Sequence, residues 1–94
     1  MLKELNPLLH SELRLAIMSI LLGVAETDFT YIKEQTKATS GNISVQIDKL
    51  QKANYIEVRK EFVGKRPRTA CSLTAHGKEA FEEYVETLKE YLHM

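Results

Sequence analysis

Thr39-Ser40-Gly41-Asn42-Ile43-Ser44-Val45-Gln46-Ile47-Asp48-Lys49-Leu50-Gln51-Lys52-Ala53 is the stretch on which the fold turns. Ile43, Ile47 and Leu50 fall at i, i+4 and i+7, so a helix over roughly 41–53 has one apolar stripe. Thr39 or Ser40 offers an oxygen to cap its first turn. The opposite face carries Asn42, Val45, Asp48, Lys49 and Lys52, with Ser44 and Gln46 on the flanks. Such a helix docks by its stripe and leaves a polar surface in water.

Working back toward the N-terminus, Ala38-Thr39-Ser40-Gly41 breaks the helical pattern. Before it, Thr30 can cap a shorter helix from Tyr31 to about Lys37, with Ile32 turned inward. Further back, Asn6-Pro7 reads as an opening turn or a helix start. Leu9, Leu13, Ala16, Ile17, Ile20 and Leu21 then recur at helical spacing, and Leu15, Met18 and Leu22 widen the stripe almost to the full circumference. A helix apolar nearly all round is central or lies at an interface. Gly23 ends it.

Toward the C-terminus, Tyr55-Ile56-Glu57-Val58-Arg59-Lys60-Glu61-Phe62 alternates apolar and polar, the period of a half-buried strand. Gly64-Lys65-Arg66-Pro67 signals a loop. Arg68 to Leu73 reads as the return strand, with Thr69, Cys71 and Leu73 on one face. Thr74 caps a last helix running to about Leu92, whose apolar positions are Phe81, Tyr84, Val85, Leu88, Tyr91 and Leu92. The predicted architecture is a single α+β, mostly helical domain over residues 1–94. It is a winged helix-turn-helix, with a three-helix core, a two-stranded wing and a C-terminal helix.

The net charge is zero, but it is unevenly spread. Residues 1–30 sum to −2, residues 31–72 to +5 and residues 73–94 to −3. Such a chain can present one basic face despite its neutral total. The third helix and the hairpin lie in the basic segment. An α-helix fits the major groove, where base edges offer distinct donor and acceptor patterns. Ser40, Asn42, Ser44, Gln46 and Lys49 can read bases or hold phosphates, and Val45 can pack on a thymine methyl. Asp48 can accept from cytosine, or pair with Lys49 or Lys52 away from DNA. The hairpin residues Lys65, Arg66 and Arg68 surround a proline, which suits contact with phosphates or entry of an arginine into the minor groove.

Asn6-Pro7-Leu8-Leu9-His10-Ser11-Glu12-Leu13-Arg14-Leu15, Thr39-Ser40-Gly41-Asn42-Ile43-Ser44, Leu50-Gln51-Lys52-Ala53-Asn54-Tyr55, Arg66-Pro67-Arg68-Thr69 and Leu73-Thr74-Ala75-His76-Gly77 form an ordered series. Over nearly the whole chain this series resembles the small stand-alone winged-helix regulators related to the MarR and ArsR types. The resemblance implies a transcriptional regulator that binds double-stranded DNA, with the third helix as reader, the basic hairpin as wing and dimerisation through the terminal helices. Asn54 stands where such regulators often carry glycine, and asparagine also tolerates the left-handed conformation. Val45-Gln46-Ile47-Asp48 is less basic than in many of them.

The residues themselves also suggest a homodimer. Phe81, Val85, Leu88 and Leu92 make a 4-3-4 seam, flanked by Tyr84 and Tyr91, and Leu13 and Ile17 offer a second apolar face on the first helix. That seam either seats on a partner or folds back on its own first helix. The alternative function is a winged-helix protein-interaction module with no DNA affinity.

Other chemistry finds little support. His10, His76 and His93 are far apart, so no metal site is expected. Cys71, the only cysteine, lies on the inward face of a strand and reads as a buried inert thiol, not a redox sensor. No nucleophile–base pair, phosphate loop or cofactor motif appears, so neither an enzyme nor a cofactor is expected. The chain leaves little room for a ligand pocket inside one protomer, so any small-molecule effector is expected at a dimer interface. No apolar run reaches membrane-spanning length, and residues 1–12 lack a signal-peptide layout, so the expected location is the cytoplasm.

Overall fold

Each helix starts where a short polar side chain takes up a free backbone N–H. A computed structural model describes residues 2–93. Its elements are α1 (Glu12–Leu22), β1 (Thr27–Asp28), α2 (Phe29–Thr36), α3 (Ser40–Lys52), β2 (Ile56–Val63), β3 (Arg66–Leu73) and α4 (Ala75–Leu92). The caps are Ser11, Asp28, Thr39 and Thr74, whose side chains accept from the N–H groups of Arg14, Tyr31, Asn42 and Gly77.

Two starts differ from the sequence reading. Asn6 opens a turn in which the N–H groups of Leu9 and His10 both donate to its carbonyl, and α1 begins only after Ser11. Asp28, not Thr30, caps α2, because the chain enters that helix directly from a strand. That strand is the third difference. β1 pairs antiparallel with β3, Thr27 opposite Cys71 and Asp28 opposite Ala70, so the sheet has three strands in the order β1-β3-β2. Two residues are too short to show a period of two, so a sequence pattern does not reveal them.

The hairpin turn is tighter than expected. β2 and β3 pair from Ile56 opposite Leu73 out to Val63 opposite Arg66, leaving Gly64 and Lys65 as a two-residue turn. Gly64 has φ +66° while Lys65 keeps a negative φ, the arrangement of a II′ hairpin. Pro67 faces Phe62. Counted from the closing pair, that is a non-hydrogen-bonded position of the β2–β3 ladder, so the missing N–H costs no bond there.

The core lies between the helices and the inner sheet face. Leu9, Ile17, Met18, Ile32, Ile43 and Leu50 are fully buried, joined by Leu21, Ile56 and Cys71. Each such aliphatic side chain contributes roughly 1.5–3 kcal/mol. Residues 2–10 are not helical but cross the side of α4. Lys3 accepts from the Tyr91 hydroxyl at 2.7 Å, Asn6 donates to the Tyr55 hydroxyl at 2.9 Å, and His10 Nδ1 pairs with the Tyr84 hydroxyl at 2.9 Å.

Where α3, β2, β3 and α4 meet, backbones are close. Asn54 takes the left-handed conformation at φ +64°, and the Thr74 hydroxyl lies 2.7 Å from its carbonyl oxygen. One turn into α4, Gly77 packs against Tyr55, and a Cβ there would fall 2.0 Å from the Tyr55 carbonyl oxygen. In an unobstructed helix Gly→Ala stabilises by roughly 0.4–1 kcal/mol. Here the sign inverts. Gly77→Ala is expected to destabilise by at least the roughly 1–3 kcal/mol of ordinary overpacking, read as a lower urea midpoint with unchanged slope.

Candidate nucleic-acid interface

The docking of α3 decides what its outer face can do. Ile43, Ile47 and Leu50 point into the core. Ser40, Asn42, Ser44, Val45 and Lys49 are exposed, and Val45 is 50% accessible despite being apolar. Asp48 pairs with Lys52 at 3.0 Å, the i,i+4 partner on its own helix. Of the two roles open to Asp48, this geometry takes the one away from DNA. Among the described residues Lys49 has no acidic partner within ion-pair distance.

Gln46 is differently placed. It is half-buried, its Oε1 accepts from Arg14 Nη1, and its Nε2 donates to Asn42 Oδ1 at 2.9 Å. Arg14 Nε donates in turn to the Leu8 carbonyl. A chain of hydrogen bonds therefore runs from the arm through α1 to the start of α3. Both functional ends of the Gln46 amide are engaged, and Gln46 orients Asn42. No local sequence pattern encodes the Arg14–Gln46 contact, because it spans 32 positions.

The wing's basic residues divide into two groups. Arg68 was expected at the tip beside Lys65 and Arg66. It lies instead on the outer sheet face, with Nη1 3.0 Å from Glu26 and 2.7 Å from Glu61, and Nε 3.4 Å from Asp28. Arg59 joins the same cluster, 3.1 Å from both Glu26 and Glu61. Hydrogen bonds from Arg68, then Arg59, hold the Glu26 carboxyl below its ordinary range. Those bonds raise both guanidinium groups, with Glu26 the largest cause for each. Arg68 is thus a tie between β1 and the root of the wing. Glu61 opposite Arg68 was within reach of sequence reasoning, since a two-residue turn at Gly64-Lys65 fixes that register. Glu26 was not, because it arrives from the loop before β1. Lys60, Lys65 and Arg66 are exposed and have no acidic partner among the described residues.

The expected dimer residues also divide. Ile17 is wholly buried in its own protomer, and Phe81 and Tyr84 belong to the same core cluster. These three offer a partner almost no surface, so part of the seam does fold back. Tyr91 is half-buried and held by the Lys3 carbonyl. Leu13, Val85 and Leu88 are half-buried at the edge of the core, and Leu92 is 74% exposed.

The chain is a helix, two further helices, a hairpin and a long terminal helix, with a solvated third helix and a projecting wing. The sequence profile described as a winged helix DNA-binding domain, HTH_34, matches residues 13–92. The chain belongs to that family. The uncharacterized protein MJ0432 of Methanocaldococcus jannaschii is 30% identical over 76 residues, which is 81% of this chain and 83% of that protein. A transcriptional regulator homologue from Pyrococcus horikoshii OT3 superposes with a TM-score of 0.85 at 28% identity, covering 92% of this chain and 85% of its own. A mutant MarR from E. coli, solved in complex with operator DNA, superposes with a TM-score of 0.76 at 18% identity over 93% of this chain and 61% of that one. That last likeness is one of fold. The winged-helix architecture expected from the sequence holds. Among the described residues no helix is long and apolar enough to cross a membrane.

In this winged-helix domain Cys71 sits on the central strand, opposite Thr27 on one side and Val58 on the other. Burial, with the nearby Asp28 charge adding to it, pushes its thiol up to about 11. At neutral pH almost no thiolate forms, so the native protein is expected to resist Ellman's reagent and react fully once unfolded. An unfolded chain releases the thiol proton near its ordinary 9.0 while the native state keeps it to about 11. Through that window this group therefore lowers native stability as pH rises, an effect that Cys71→Ser removes from the denaturation curves.

Proposed function

We propose that this protein is a sequence-specific, double-stranded-DNA-binding transcriptional regulator that acts as a homodimer. The observation that carries the reading is the solvated face of α3. There Asn42, Ser44, Val45 and Lys49 are exposed together, while the helix is anchored behind by three buried side chains. Asn42 stands in the first turn of α3, the part that enters the major groove first in helix-turn-helix docking. Its Oδ1 already accepts from Gln46, which turns its amide NH2 outward as a ready donor. Ser40, Ser44 and Lys49 hold neighbouring phosphates or base edges, and Val45 meets a thymine methyl. Gln46 positions the reader. Lys65 and Arg66 at the wing tip clamp phosphate beside the reading site.

The unpaired cations speak for nucleic acid over a purely protein partner. Among the described residues Lys49, Lys60, Lys65 and Arg66 have no acidic partner, in a chain of zero net charge, while Arg59 and Arg68 are neutralised internally. Contact with phosphates releases counterions, so binding to a random duplex should weaken steeply with salt. Neutralising Lys65 and Arg66 together should flatten the slope of log affinity against log salt by about two. Asn42→Ala should cost about 1–3 kcal/mol at a site selected from a random library and leave non-specific affinity nearly unchanged. A salt-independent affinity would point to the protein-interaction module instead.

The homodimer rests on the apolar surface left over after folding. Leu92 stays open at the end of α4, with Val85 and Leu88 half-covered on the same helix. Two copies joined there would set two reading helices on successive major grooves, about 34 Å apart. Sedimentation at micromolar concentration should report twice the monomer mass. Leu92→Glu, at a site already exposed, should loosen the dimer without unfolding the protomer. Val85→Glu with Leu88→Glu should yield monomers that keep only weak, salt-sensitive contact with DNA. A wild-type monomer that binds its site tightly would overturn this arrangement.

A further inference from the structure

The wing tip carries apolar surface that phosphate contacts do not use. Phe62 is 74% exposed and Val63 61%, and Pro67 beside them is exposed as well. Isolated exposed apolar residues are ordinary on a soluble protein. These three are adjoining, at the outermost end of a hairpin that polar residues could have closed. Phe62 and Pro67 are register partners in a non-hydrogen-bonded pair, where side chains on the shared face stand closest. Their rings form one apolar point backed by a stiff residue.

Three further features indicate what meets that point. Phe62 shares a sheet face with Ile56 and Val58, and Ile56 is buried in the cluster that holds Ile43, Ile47 and Leu50 of α3. The four steps along β2 from Val58 to Phe62 carry that face about 13 Å beyond the core. The point therefore projects past the protein body on the side where α3 packs. Lys60 on the same face, Lys65 in the turn and Arg66 on the opposite face of the tip are all exposed and unpaired among the described residues. The root of the hairpin, by contrast, is braced by the Arg59 and Arg68 cluster. An apolar point at a cationic hairpin tip complements a polyanion with an apolar interior, and stacked base pairs between two phosphate backbones are such a partner.

We propose that Phe62, backed by Pro67, is a wedge that enters the minor groove beside the reading site and partly unstacks one base step, while Lys60, Lys65 and Arg66 hold the flanking phosphates. The inference rests on the DNA-binding reading above and adds to it a contact made through shape. Aromatic and proline wedges of this kind kink the duplex toward the major groove. Pyrimidine–purine steps unstack most easily, so the wedge favours TA or CA at that position without any base-edge hydrogen bond.

The test uses the full chain and a duplex selected from a random library, with 2-aminopurine in place of adenine at the TA or CA step flanking the reading site. Wild-type protein should raise the 2-aminopurine fluorescence and shorten the end-to-end distance of a dye-labelled duplex. Phe62→Ala should bind about tenfold more weakly, with no fluorescence rise, an unchanged salt slope and an unchanged melting temperature, since the ring is exposed. Phe62→Leu should recover part of both signals. Wild-type complexes that neither brighten nor bend would overturn the wedge, as would Phe62→Ala binding and brightening like wild type. A flatter salt slope in Phe62→Ala would reassign the residue's effect to phosphate contacts. Unchanged DNA binding with reduced self-association would make the tip a protein contact. Failure of the wild type to bind any duplex would sink the broader reading, and is seen before any variant is made.

Discussion

Burial of Ile43, Ile47 and Leu50 is the constraint on which the rest of this structure depends. The three side chains occupy one face of α3 and sit in the core with Ile17, Met18, Ile32 and Ile56. Withdrawing them into water would cost several kcal/mol in total, a large share of the stability of a domain this size. That burial sets the rotation of α3 about its own axis. Once it is set, Asn42, Val45 and Lys49 have nowhere to go but solvent. It also fixes where the hairpin leaves the body, because Ile56, the first residue of β2, belongs to the same cluster.

Electrostatics then sorts residues that look alike in the sequence. Arg66 and Arg68 are separated by one proline, and both belong to the same basic run. Strand alternation would put them on one face, but distance along the strand separates their fates. Arg68 lies level with Glu61 and within reach of Glu26 and Asp28, and Arg66 lies beyond them all. The cluster stays in partial contact with solvent, so it serves chiefly to align the hairpin with β1 and adds modestly to overall stability. A wing held at its root and left cationic at its tip is the outcome, in a protein whose net charge is zero.

The same division of labour runs through α1 and the N-terminal arm. Arg14 spends its guanidinium on the Leu8 carbonyl and the Gln46 amide, and the arm reaches α4 through Lys3 and His10 and the start of β2 through Asn6 and Tyr55. Elements at opposite ends of the chain are thereby joined to the start of α3. Leu13, half-buried on α1, is the immediate neighbour of Arg14, so a partly open apolar surface lies one residue from the support of α3. Packing of that kind transmits small shifts, because close-packed interiors yield little.

Periodicity and capping chemistry were enough to place α3, the wing strands and α4, because each is stabilised by side chains close together in sequence. The 4-3 spacing of Ile43, Ile47 and Leu50, the alternation from Ile56 onward and Thr74 before Gly77 are local signals, and the sheet register, the left-handed Asn54 and the buried Cys71 agree with them. Tertiary structure alone decided the rest. β1 is two residues long and exists because β3 has a free edge to pair with. The capture of Arg68 and the engagement of Gln46 depend on Glu26 and Arg14, which lie 42 and 32 positions away. Ile17, Phe81 and Tyr84 went to the protomer's own core, not to an outer seam, because they join one buried cluster with residues from every helix. An apolar stripe specifies that a face will be buried. Which surface buries it is settled only when the whole chain is in place.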